Sequence, residues 1–201
     1  GVELAAFSRP SEIIGGDYFD FFQFRDGTHG LVIADVSGHG VAAGMLMSSL
    51  QTAIRTMAPE TDVPAEILER LNRFYIHNIN FTTFVTIFLA RFDPSTLTLT
   101  YINAGHNPPA VRRRENSEII WLKPTAPAIG LVEYFHAREV PYCLLNPVRC
   151  TRPGARLTKP ADHELAERFL KALDRSYELY QETGRKLVVA NFANVLIGIV
   201  A

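Results

Sequence analysis

Cysteine is scarce in this sequence. Cys143 and Cys150 are the only two, too few for a disulfide framework and without the Cys/His spacing of a zinc site. Both read as ordinary thiols, which fits a reducing, cytoplasmic setting. An excess of charge of one sign is also lacking: 20 Lys and Arg stand against 21 Asp and Glu, a formal net charge of −1. Such a balance gives no general attraction to nucleic acid or anionic lipid. The local basic run Arg112, Arg113 and Arg114 sits beside Glu115, Asn116 and Ser117, the composition of a solvated hairpin tip. Long apolar runs are missing as well. The longest, 188–201, is interrupted by Asn191 and Asn194 and falls short of the roughly 20 residues that span a bilayer, so no membrane span is read. The opening "GVELAAF" has neither a basic n-region nor a long apolar h-region and does not read as a signal peptide. Because it starts at Gly1 rather than Met, we expect a piece of a longer protein.

What is present is enough apolar residue, 47% against 20% charged in 201 residues, to bury the core of a single domain, 1–201. The stretches "VELAAFS", "DYFDFFQF" and "HGLVIADV" read as strands, the last two joined by a favoured Asp26-Gly27 turn. After Gly40 the period changes to that of a long helix, which Pro59 ends. A second helix starts near Pro64, with Ile67, Leu68, Leu71, Phe74 and Tyr75 on one side, and runs to about Asn78. "TTFVTIFLARF" and "TLTLTYINAG" form another strand pair around Asp93-Pro94-Ser95, and "AVRRRENSEIIWL" a further hairpin. A third helix is expected over 161–182 and a closing strand in "KLVVANFANVLIGIVA". Strands, two helices, strands, a helix and a strand imply an α+β fold of antiparallel sheets covered by helices.

Two acids stand where apolar strands begin or end. Asp35 follows "LVIA" and leads through "VSGHG" into the first helix, and Asp17 follows Gly15-Gly16 at the start of another strand. A desolvated carboxylate costs several kcal/mol unless it is paired or bound to a cation. Arg or Lys, backbone N–H groups, or a hard divalent ion held by oxygens alone all meet that need. A strand-end Asp that merely forms a turn or caps a helix is the alternative. Alternation puts Asp20 on the opposite strand face from Asp17, and we read it as structural, paired with an Arg.

Taken together, "SRPSEIIGGDYFDFF", "LVIADVSGHGVAAGMLMSSL", "TTFVTIFLARFD" and "LTYINAGHNPPAVRR" resemble the bacterial branch of the metal-dependent serine/threonine phosphatases (the PPM family), regulators of sporulation and of the general stress response. The resemblance covers roughly residues 4–140. It implies an antiparallel β-sandwich flanked by helices, with a centre of two Mn²⁺ or Mg²⁺ ions that removes phosphate from a phosphoserine or phosphothreonine. By the same resemblance Asp17 and Asp35 hold the metals and Val36 offers its main-chain carbonyl. His39 is either a general acid, a phosphate neighbour or a backbone-bonding residue at a helix entrance. The amides of Ser37 and Gly38, at that helix N-terminus, suit an anion. His106 is read as fixing a turn. The implied substrate is a phosphorylated regulatory protein akin to an anti-sigma-factor antagonist. The resemblance also implies an upstream sensor domain in the same chain, this domain being the C-terminal part of a longer regulatory protein. It leaves room for a homodimer, and makes the helices over 41–57 and 64–78 a regulatory element.

The family's later ligands, a Thr-Asp-Gly and an Asp-Asp before the last strand, are not in this sequence. No acid lies between Glu139 and Asp162, and Ala193 and Asn194 stand where the paired aspartates are expected. Asn194 offers a neutral oxygen in place of a charge, and Asp162 is a conceivable replacement ligand. A catalytically weak or silent pseudophosphatase that regulates by contact is therefore the second reading.

Overall fold

Alternating apolar and polar residues in the first third of the chain fold as expected into antiparallel strands. The computed structural model describes residues 3–8, 15–78, 83–112, 119–143 and 195–200. Its elements are, in order, β1 (Glu3–Ser8), β2 (Asp17–Gln23), β3 (His29–Val36), α1 (Gly40–Met57), α2 (Pro64–Asn78), β4 (Val85–Asp93) and β5 (Thr98–Ala104). They are followed by β6 (Ala110–Arg112), β7 (Ile119–Trp121), β8 (Val140–Cys143) and β9 (Val195–Val200). Five strands form one antiparallel sheet in the order β2-β3-β4-β5-β8, while β1 pairs with β9 and β6 with β7. The helix expected over 161–182 lies outside the described residues, as do Asn194, Asp162, Arg113 and Arg114.

Both faces of the five-stranded sheet carry a core, which the strand alternation sets up. On one face Tyr18, Phe22, Val32, Ala34, Val36, Ile87 and Leu89 meet Leu50 and Ile54 of α1 and Ile67, Leu68, Leu71 and Tyr75 of α2. Leu31, Phe88, Ala90, Phe92, Leu99 and Tyr101 occupy the other, closed by Leu122 and Val111. This is the α+β architecture read from the sequence. Register on the helix side is locked by a void that only glycine leaves: Gly30 lies opposite Phe22, and a Cβ there would sit 2.1 Å from the Phe22 ring.

Local chemistry places the helices. Met57 is the last residue of α1, and Pro59 sits in the short 3-10 turn that follows, 58–60. Pro64 opens α2, whose Ala65 amide is capped from a distance by Glu139 Oε1 at 2.9 Å. Phe74 departs from expectation. Its spacing puts it on one side of α2 with Ile67, Leu68, Leu71 and Tyr75, yet it is 49% exposed while its neighbour Tyr75 fills the core, because 74 falls at the margin of the apolar stripe that 67, 68, 71 and 75 define. Strand β8 was not expected at all. It consists of four residues including a proline, too short and too mixed for a periodic signal.

Candidate functional site

Strand register assembles the site. Asp17, the first residue of β2, is the cross-strand partner of Asp35 on β3, and Asp35 is in turn the partner of Thr86 on β4. The three side chains make one transverse row, on the sheet face away from α1 and α2, since their strand neighbours Phe21, Leu31 and Phe88 belong to that face's core. Burial pushes the Asp35 carboxyl above the ordinary carboxylate range, and the Asp17 charge beside it pushes the same way.

The row continues to His106, which sequence reasoning left as a turn residue. The turn after β5 does fix it: Gly105 takes a φ of +67°, and a Cβ there would come 2.9 Å from that of Ala128. Asn103, fully buried, accepts the His106 amide on Oδ1 at 2.9 Å and donates Nδ2 to the Leu122 carbonyl. The imidazole is 8% exposed, and its Nδ1 lies 2.9 Å from the Thr86 hydroxyl. Burial lowers its pKa, with Asp17 opposing that shift. The signal that could have found this residue is Thr86, which shares the Asp35 register position.

Past Asp35 the chain turns into α1. The Val36 amide donates to the Gly16 carbonyl, and the amide of Val85, its register partner, goes to Ile129, so cross-strand pairing with Val85 does not occupy the Val36 carbonyl. Gly16 packs against that carbonyl so closely that a Cβ would lie 2.5 Å from the oxygen. Only glycine fits there without displacing the carbonyl. Ser37 is tied down: its amide donates to the Phe84 carbonyl and its hydroxyl accepts the Phe84 amide, both at 2.9 Å. Its amide is therefore already engaged, and the anion-receiving role expected of it would fall to the glycine amides beyond. Gly38 and Gly40 hold φ of +101° and +72°, a conformation that favours glycine. His39 between them is exposed at the N-cap of α1, and its ring makes no capping hydrogen bond.

On the opposite face Asp20 has the arginine expected for it. Arg55, from the last turn of α1, grips it with Nε on Oδ2 and Nη2 on Oδ1, each at 2.5 Å, and the Tyr18 hydroxyl donates to Oδ2 at 2.9 Å. Burial alone would raise the Asp20 carboxyl, but the hydrogen bonds from Arg55 and Tyr18 and the guanidinium charge outweigh it and hold the pKa low.

Two carboxylates side by side, with a main-chain carbonyl next in sequence to one of them, are oxygen donors of the kind that suit a hard cation such as Mg²⁺ or Mn²⁺. Among the described residues no cluster of three or more His, Cys, Asp or Glu suited to a metal forms. A second ion would thus need ligands from elsewhere in the chain.

Comparison with known proteins gives the family. The profile of the Stage II sporulation protein E (SpoIIE) family matches residues 25–146, more than half of the chain. The chain belongs to this family. With it the chain joins the bacterial branch of the PP2C-type, or PPM, phosphatases. Phosphoserine phosphatase RsbU of Bacillus subtilis is 27% identical over 139 residues, covering 69% of this chain and 41% of RsbU. The crystal structure of the RsbU and RsbW domains of Rv1364c from Mycobacterium tuberculosis aligns with a TM-score of 0.58 at 30% identity, over 70% of this chain and 40% of that one. The PP2C phosphatase domain structure of SpoIIE from Bacillus subtilis shares the fold, with a TM-score of 0.60 at 14% identity over 71% of this chain and 41% of that one. This SpoIIE-family chain thus spans about two-fifths of the length of RsbU.

Proposed function

We propose that this chain is a Mn²⁺- or Mg²⁺-dependent serine/threonine phosphatase domain. Its substrate would be a phosphorylated regulatory protein akin to an anti-sigma-factor antagonist. The observation that carries the reading is the register pairing of Asp17 with Asp35, two acids side by side where β2 begins and β3 ends. Like charges so placed in a partly dry setting call for a cation. The kinship with a phosphoserine phosphatase supports the reaction class. Asp17, Asp35 and the Val36 carbonyl would hold the ion. When bound, such an ion activates water and neutralises phosphoryl oxygens. The chain's own residues do the rest: the β2–β3 ladder fixes the spacing of the two carboxylates, Gly16 packs on the Val36 carbonyl without a side chain to displace it, and the Ser37–Phe84 hydrogen bonds anchor the loop that carries His39. His39 is exposed and its ring makes no capping hydrogen bond, which supports a role toward substrate.

We further propose that residues 1–201 form one cytoplasmic domain at the C-terminal end of a longer regulatory protein. In it α1, rooted directly after Asp35, passes signals from an upstream sensor domain or from dimerisation. No described helix is long and apolar enough to cross a membrane.

The test is phosphate release from an aryl phosphate or a phosphoserine peptide at millimolar Mn²⁺. Release that depends on metal and is lost in Asp35→Ala and Asp17→Ala supports the enzyme; release no greater than that of Asp35→Ala overturns it. The absence of the family's late acids from the sequence favours a second reading, a silent domain that regulates by contact. That domain would bind its partner equally well with Asp35→Ala and hold at most one weakly bound ion in calorimetry.

A further inference from the structure

His106 is a buried imidazole that no role so far assigned requires. Most buried histidines are satisfied core residues, and the turn around this one would stand without a ring: Asn103 holds the His106 backbone, and Gly105 packs on Ala128. The ring itself reaches another strand, where Nδ1 meets the Thr86 hydroxyl at 2.9 Å. Thr86 is the register partner of Asp35, and Asp35 of Asp17. A hydroxyl-imidazole pair thus stands at the end of the row of acids, next to Asp35.

We propose that Thr86 and His106 are positioning residues for the Asp17–Asp35 cation site. The Thr86 hydroxyl donates to Nδ1 and so keeps the neutral ring's proton on Nε2, the tautomer that donates to a carboxylate. The pair thereby braces the acid row from its Thr86 end without adding charge. Polar groups that orient a ligand from behind typically change metal affinity by about 10- to 100-fold when removed. The inference rests on the reading of Asp17 and Asp35 as cation ligands.

Calorimetric titration of the full chain with MnCl₂ tests it, alongside melting temperatures in EDTA. Thr86→Val, which keeps the shape and removes the hydroxyl, is expected to weaken Mn²⁺ binding at least about tenfold, as is His106→Gln. Thr86→Ser, which restores the hydroxyl, is expected to return affinity to within about threefold of the parent. A merely structural pair would lower the EDTA melting temperature and leave Mn²⁺ affinity alone. Binding by Thr86→Val within about twofold of the parent overturns the proposal, as does failure of Thr86→Ser to rescue. If His106→Gln does not fold, the Val and Ser variants of Thr86 decide. A parent chain that binds no Mn²⁺, matching Asp35→Asn, would overturn the cation site itself and this inference with it.

Discussion

Asp17 and Asp20 lie on one strand, three residues apart, and the two faces of β2 treat them in opposite ways. On the helix side Asp20 receives a bidentate guanidinium, a phenol hydroxyl and the Phe21 amide, and its carboxyl is held below the usual range. On the other side Asp17 is placed against a second acid, Asp35, whose carboxyl burial and that neighbour drive upward. One acid has been given everything that stabilises an anion within the fold. Asp35, across the ladder from Asp17, instead faces an acid that pushes its carboxyl upward, an arrangement that a cation would relieve.

If this contrast is right, removing Asp35 and removing Asp20 damage different properties. The largest effect expected is on turnover. Asp35→Asn should lower Mn²⁺-dependent phosphate release by at least about 100-fold, because a cation's contribution at a phosphoryl centre is worth several kcal/mol. Yet in EDTA the same variant should melt at or above the parent temperature, since it removes a repelled, partly desolvated charge. An Asp35→Asn chain that is both active and less stable would break the comparison. Asp20→Ala should do the reverse. Its carboxylate is 11% exposed while the Arg55 side chain is 54% exposed and free to be solvated, so the loss is smaller than for a fully buried pair, about 2 kcal/mol. For a domain of this size that is a melting temperature lower by about 4–8 °C. Melting scans with and without Mn²⁺ check both halves.

Two glycines carry the same contrast at smaller scale. A methyl at Gly30 meets the Phe22 ring in the helix-side core, whereas at Gly16 it meets the Val36 carbonyl beside the acids. Overpacking of this kind costs about 1–3 kcal/mol in either place. Both Ala variants should therefore melt lower. Only Gly16→Ala should also weaken Mn²⁺ binding, and calorimetry showing equal affinity for the two variants would remove Val36 from the donor set.

How much of this the sequence disclosed follows from range. The hairpin at Asp26-Gly27, the exit of α1 before Pro59 and the start of α2 at Pro64 are set by residues within a turn of each element, and all were legible. So was the need of Asp20 for an arginine, because a charged residue in an apolar strand states its own deficit; that Arg55 answers it depends on how α1 lies across β2, which no local pattern encodes. Phe74 failed for the same reason, its exposure being decided by where the neighbouring layer ends. At the site, Asp17 and Asp35 were visible as interruptions of apolar strands, while the Thr86–His106 contact spans 20 residues and two strands. It becomes visible only once register aligns Thr86 with Asp35.

The subtlest expected effect is in the pH dependence of stability without metal, and its two halves have opposite sign. Asp20 has a depressed carboxyl pKa in the folded chain, so its contribution is complete above the unfolded value, about 3.9, and is lost as pH falls through the folded value. The stability lead of the parent over Asp20→Asn should therefore be constant from pH 7 to about 5 and shrink in stronger acid. Asp35 has a raised pKa. Its penalty is complete above the folded value and vanishes once pH drops below the unfolded one, so any lead of Asp35→Asn over the parent should fade on acidification. Urea unfolding in EDTA between pH 7 and pH 4 measures both differences on one set of proteins. Parallel curves for the two pairs would mean that Asp35 is compensated from within the fold as Asp20 is, which would remove the physical reason for a cation beside it.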